Sequence, residues 1–208
     1  LQLERRLRAA AGGGSGGLNV TTFARGATVA QDNPYRAEFY TSARSNGVWN
    51  GSLAFAPDVV IMMLGTNDAH EKFWDGPDAF RAALEALVSG YDRATAIALL
   101  SPPPPSPTHR PILQKPFKDR VKAAGAVARQ LARDRNLIFI DVHAAFVAAL
   151  KADKNDGRRL YFDTRHHTAQ GAALLAKTVF EGLCNATDVT LAMPPLPTNP
   201  LPTRATDT

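Results

Sequence analysis

Two short clusters in this 208-residue chain carry side chains able to do acyl-transfer chemistry. The first is Asp163-Thr164-Arg165-His166, directly before the apolar-periodic run TAQGAALLAKTVF. A carboxylate three residues ahead of a histidine, in a turn, can fold back to accept from Nδ1 and leave Nε2 as a general base, which makes two-thirds of a catalytic triad. Asp-x-x-His is also common by chance, and a surface histidine beside an aspartate satisfies it equally. The second cluster is Gly65-Thr66-Asn67-Asp68, immediately after DVVIMML. Gly65 tolerates a tight turn and Asn67 presents a side-chain NH2 that can donate to an anion, although a solvated turn has the same composition.

The segments around these clusters alternate between strand and helix patterns. Residues 18–22 (LNVTT) form a β-prone run, and 59–64 are six consecutive apolar residues, the pattern of a strand buried on both faces. Phe80, Leu84, Leu87 and Tyr91 share one face of a helix expected over 77–91, starting at Asp75 or Gly76. Further strands are expected at 96–100 and 137–141, and helices at 117–135, 144–151 and 168–183, the last with Thr168 as its N-cap. A helix over 1–11 stops at the glycine cluster of 12–17. This alternation predicts an α/β domain with a parallel sheet covered by helices on both faces, and both clusters then lie beyond the carboxyl ends of strands, where such sheets place ligands. The proline-dense segment 101–115 reads as a loop over that end, and the Pro/Thr-rich residues after 183 read as a disordered tail. One domain over 1–183 and a tail over 184–208 is the expected organisation.

Composition narrows the function. The formal charge is +5, but the 24 basic residues are spread along the chain rather than gathered into a patch, which argues against a nucleic-acid partner. A single cysteine, Cys184, rules out an internal disulfide, and five scattered histidines without a cysteine cluster suggest neither a metal site nor a cofactor. No run reaches the roughly 18 apolar residues of a membrane helix, so no membrane partner is expected. The first residue is Leu1 rather than Met, and the natural N-terminus is expected to lie upstream.

Taken in order, the GTND block and the DTRHHTAQG block resemble those of the SGNH (GDSL-like) hydrolases, with nearly a hundred residues of strand and helix pattern between them. The resemblance covers about residues 1–183. It implies a three-layer α/β/α, flavodoxin-like fold and a serine ester hydrolase that needs no cofactor, with His166 as general base, Asp163 as its orienting carboxylate and Asn67 as an oxyanion donor. It also directs attention to Phe23-Ala24-Arg25-Gly26-Ala27-Thr28, where Gly26 matches the family's second oxyanion donor through its backbone N–H and Arg25 stands where a small residue is usual. Gly26 could instead simply supply positive φ to a turn.

The family's first block, Gly-Asp-Ser at the end of strand one, is absent from the chain, and no other serine has its context. The expectation is a chain truncated ahead of its nucleophile, lacking the first strand and inactive as it stands. SPPPP, VVIMMLGTND and the following Trp74 look most like the carbohydrate acetylesterases, implying a small or carbohydrate O-acyl ester as substrate. The competing reading is a non-catalytic carbohydrate- or lipid-binding relic of the same fold. A flavodoxin-like binding domain is disfavoured, since no Gly-rich phosphate loop opens a helix after a strand. Of the other histidines, His167 is expected to line the pocket mouth or face solvent, His70 to sit on the surface at a helix start or to approach the same site, and His109 and His143 to have no catalytic partner. Asp68 reads as a structural carboxylate or an exposed turn residue, and Trp74 as a core anchor or a wall of the site.

Overall fold

The computed structural model describes residues 19–31, 41–108, 114–154 and 156–190. The helix expected over 1–11, the glycine cluster, His109 and the residues beyond 190 lie outside that set. In chain order the described elements are β1 (Thr28–Val29), β2 (Thr41–Ser42), α1 (Val48–Ala54), β3 (Val59–Met62), α2 (Pro77–Val88), β4 (Ala96–Leu100), α3 (Gln114–Asp134), β5 (Ile138–Ile140), α4 (Val142–Ala152) and α5 (Ala169–Thr190).

β3, β4 and β5 form a parallel sheet in that order, with Val59 opposite Ala96 and Ala98 opposite Ile138. β1 and β2 form a separate parallel pair, Thr28 opposite Thr41. Side chains alternate across a strand, so β4 and β5 feed two cores, whereas β3 feeds the first alone. Val60, Ile97 and Leu99 pack with Phe80, Leu84 and Leu87 of α2 and with Ala124, Ala128 and Leu131 of α3. Ala98, Leu100 and Ile140 face the other way, onto Val142, Phe146 and Leu150 of α4 and Val179 of α5. Helices cover both faces of a parallel sheet, as the strand and helix alternation predicts. Each large apolar side chain taken from water in this way contributes about 1.5–3 kcal/mol.

Local chemistry sets the helix starts. Pro77 stands in the first turn of α2, where its missing N–H costs nothing, behind Gly76 at φ 104°. The Asp141 side chain caps α4 by accepting from Ala144 N–H at 3.0 Å, and Thr168 Oγ1 accepts from Gly171 N–H at 3.2 Å at the start of α5.

Two expectations need correction, and one element was not expected. Residues 19–22 of the LNVTT run are irregular, and the strand pairing falls instead at β1, because β propensity makes a strand only where a neighbour offers a ladder. α1 has no counterpart in the sequence reading, since Asn50 and Gly51 are poor helix formers. It is held by tertiary contacts, with Trp49 Nε1 donating to Leu87 O at 3.1 Å and the indole lying where a Cβ on Gly90 would stand. α5 runs on past Leu183 to Thr190, so the first residues assigned to the tail are helical.

β3 stands at one edge of the described sheet. Among the described residues it pairs on one side only, and Val59 and Ile61 are 50% and 37% exposed on the sheet face that α5 covers farther along, at β5. A cavity of about 830 Å³ follows this strand from Val59 to Leu64. It is bounded on the opposite side by residues 19–21 and 23–25.

Candidate active site

The GTND cluster follows the carboxyl end of β3, and the Asp163 cluster lies in the connection between α4 and α5. After β3 the chain turns at Gly65, whose φ of 112° suits only glycine, and a Cβ there would lie 2.8 Å from the Ala124 side chain. The turn is locked from beneath by Asp68, which is fully buried. Its Oδ1 accepts from the N–H groups of Ala30 (2.7 Å) and Gln31 (3.2 Å), just past β1, and its Oδ2 accepts from Gly65 N–H (3.1 Å). Burial raises this carboxyl to about 6 even though the backbone donors pull the other way. Of the two sequence readings for Asp68, the structural carboxylate is the one realised.

Asn67 lies beside the segment that bears Gly26. Its Nδ2 donates to Thr28 O at 2.9 Å, which uses one amide hydrogen and leaves the other for a ligand. Gly26 itself opens onto free space, since a Cβ built there meets nothing within 4 Å. The positive φ in this turn belongs to Ala27, at 58°, rather than to Gly26, so the conformational reading of Gly26 is corrected. Asn67, Thr28 and Arg25 line one part of the cavity along β3.

The Asp163 turn closes as its spacing predicts. Asp163 Oδ2 stands 2.6 Å from His166 Nδ1, while Oδ1 accepts from the N–H groups of Arg165 and His166, each at 2.8 Å. Partial desolvation works to raise the Asp163 carboxyl, but the two backbone donors and the imidazole outweigh it and bring it to about 2. An anion fixed in this way selects the His166 tautomer that carries its proton on Nδ1, leaving Nε2 to accept. The Phe162 ring stacks on the His166 ring with 12° between planes and centroids 5.5 Å apart, and Phe162 is 64% exposed.

Two further interactions tie the Asp163 turn to neighbouring loops. Ser106 N–H donates to Thr164 O at 2.9 Å, joining the Asp163 turn to the loop after β4. Arg165, next to His166, bears electrostatically on His70, which follows the Asn67 turn. His70 is held below its ordinary value first by burial and then by the Arg165 charge.

Other residues sort themselves by packing. Trp74 lies against Phe80 at the edge of the core, centroids 5.9 Å apart, which favours the anchoring role. His143, near the start of α4, has Nδ1 3.2 Å from Pro102 O. His167 departs from expectation. Its ring turns inward, 5.0 Å from the rings of both Phe146 and Tyr161, and its Nε2 is shut away from solvent. Sequence reasoning missed Phe162 as well, for an aromatic one residue before an aspartate has no spacing signal. Among the described residues no group of three or more acidic, histidine or cysteine side chains could hold a metal ion, and no helix is long and apolar enough to cross a membrane.

Comparison with known proteins bears on the family and the fold. A sequence model of the GDSL-like Lipase/Acylhydrolase family matches residues 3–174. An acetylxylan esterase of Xylanibacter ruminicola is 28% identical over 151 residues, which is 63% of this chain and 29% of that protein. Among solved structures, an acetylxylan esterase from Geobacillus stearothermophilus superposes with a TM-score of 0.56 at 24% identity, over 67% of this chain and 65% of that one. A lipase/acylhydrolase from Enterococcus faecalis superposes with a TM-score of 0.55 at 23% identity, over 68% and 69%. These structural likenesses show the fold, and the chain spans less than a third of the Xylanibacter protein's length.

Proposed function

Because the chain belongs to the GDSL-like Lipase/Acylhydrolase family, we propose that it is part of a serine ester hydrolase that removes acetyl groups from a carbohydrate or other small O-acyl ester. The observation that carries this reading is the Asp163–His166 hydrogen bond, which leaves Nε2 available as a base. A serine hydroxyl attacks the ester carbonyl carbon while His166 Nε2 takes its proton. The oxyanion that forms is held by the serine N–H, the Gly26 N–H and the second amide hydrogen of Asn67. His166 returns the proton to the leaving alcohol, and water then hydrolyses the acyl-serine by the same steps. Phe162, exposed beside the base, offers a flat apolar surface to a sugar ring or to the acetyl methyl.

The nucleophile in this reading is a serine at the end of a strand that seats against β3. The one-sided pairing of β3 among the described residues, the exposure of Val59 and Ile61, and the cavity lined by that strand and by residues 19–21 and 23–25 support such a strand. The carbohydrate preference is supported by the acetylxylan esterase likeness and by the accessible Phe162.

The test is p-nitrophenyl acetate hydrolysis by two polypeptides, this chain and the same chain with its natural upstream sequence, each with a His166→Ala control. Hydrolysis by the longer form alone, abolished by the control, supports the reading. A well-folded longer form with no activity on acetyl esters overturns it in favour of a non-catalytic binding relic.

A further inference from the structure

The turn that carries Asp163 and His166 is closed at its base by the next residue. Tyr161 and His167 face each other in an antiparallel bridge, Phe162 N–H donates to His166 O at 3.1 Å, and Thr168 N–H donates to Leu160 O at 3.0 Å. Successive side chains of this extended segment point to opposite sides, so His166 is exposed and His167 is directed into the protein. The His167 ring enters a box whose walls are Phe146 of α4 and Tyr161, both essentially fully buried. α5 closes the box so tightly that a Cβ on Gly171 would stand 3.0 Å from the His167 Cβ and 2.2 Å from Leu160 O.

Within the box, His167 Nε2 has no hydrogen-bond partner. An apolar side chain would fill such a place at lower cost, because a buried nitrogen without a partner forfeits its hydration. A neutral imidazole is tolerated there, whereas a protonated one would need an acceptor the box lacks. The ionisable groups that bear on the ring are His166 and Asp163 of its own turn. The Tyr161 hydroxyl is committed to Pro104 O, and the wall residues from α4 and α5, Phe146 and Gly171, carry no charge. Burial lowers the tendency of His167 to take a proton, the His166 charge adds to this, and Asp163 partly offsets it.

We propose that His167 is a positioning residue for the Asp163–His166 pair, its neutral ring seating the base of the turn between Phe146 and Tyr161 and its protonation releasing that turn. The inference rests on the hydrolase reading only in that the pair it holds is the one assigned to catalysis there. Its first readout therefore does not use ester hydrolysis.

That readout is the downfield proton NMR signal of His166 Nδ1–H in the full-length polypeptide, followed as pH is lowered. The Asp163 carboxyl is held well below the ordinary carboxylate range, at about 2, so its protonation does not end the pairing in mildly acidic solution. The wild-type signal is expected to vanish well above pH 2, as His167 takes a proton, and in His167→Phe to persist toward pH 2. His167→Leu replaces the Phe variant should the larger ring not fit. In the second readout, His167→Ala lowers kcat for p-nitrophenyl acetate roughly tenfold with KM unchanged, and His167→Phe restores it. Loss of the signal at the same pH in wild type and in the apolar variants overturns the proposal, as does a His167→Ala variant with unaltered signal and kcat. Failure of hydrolysis in every form, with the NMR difference present, counts against the hydrolase reading alone.

Discussion

The ring of Phe162 lies almost parallel to that of His166, 12° between planes, although the two residues are joined by a tight turn and Phe162 is 64% exposed. An exposed aromatic held in this way limits how the imidazole can swing about its bond to Asp163. Phe162→Ala removes that restraint. The expected outcome is a fall of about two- to tenfold in kcat/KM, matching the roughly 0.5–1.5 kcal/mol that aromatic pairs contribute beyond area burial. Thermal unfolding should scarcely change, since little buried surface is lost. Steady-state kinetics and a melting curve on the full-length polypeptide check both halves.

Asp163→Asn keeps the size of the side chain but can present an amide N–H to Nδ1, which favours the wrong imidazole tautomer. By analogy with triad enzymes, kcat should fall on the order of ten-thousand-fold. The pair is largely exposed, so folding is expected to survive. Circular dichroism alongside the kinetics separates the two effects.

Asn67→Ala removes one hydrogen bond to Thr28 O and one donor to the developing oxyanion. The first loss costs about 1 kcal/mol of stability. The second costs about 3 kcal/mol of transition-state stabilisation, a hundredfold or more in kcat. A variant with a modestly lowered melting temperature and a large drop in kcat is the expected result, and a loss confined to KM would speak against the oxyanion role.

Asp68 provides a pH prediction. Its carboxyl is raised from the ordinary 3.8 to about 6 by burial, against the pull of the backbone donors from Gln31, Ala30 and Gly65. Between those values the folded chain holds a proton that the unfolded chain releases. The associated stability is therefore fully present below about pH 3.8 and is lost as pH rises through about 6. Asp68→Asn cannot ionise and should lack this decline. It should also be less stable at low pH by about 1–3 kcal/mol, because its NH2 cannot accept a backbone N–H. Urea unfolding of both proteins from pH 4 to 7 should show the difference between them narrowing as pH rises.

The sequence by itself determined whatever depends on neighbours a few positions apart. The 3.6-residue spacing of Phe80, Leu84 and Leu87 marks α2, the β-branched run from Val59 marks β3, and Thr168 marks the start of α5. The Asp163–His166 pair was legible for the same reason, since a three-residue spacing in a turn already brings carboxylate and imidazole together. Asn67 was legible as a donor in its turn, but Gly26 needed the family resemblance, because the contact between Asn67 and Thr28 joins segments 39 positions apart. Only the tertiary structure decided that Asp68 is buried under β1, that α1 is held by Trp49 on α2, and that His167 turns into the Phe146–Tyr161 box while its neighbour faces solvent. Those outcomes follow from which faces of distant elements meet, and local spacing does not encode that choice. An aspartate three positions past a glycine or a histidine beside a histidine has the same local chemistry whether the fold closes over it or leaves it in water.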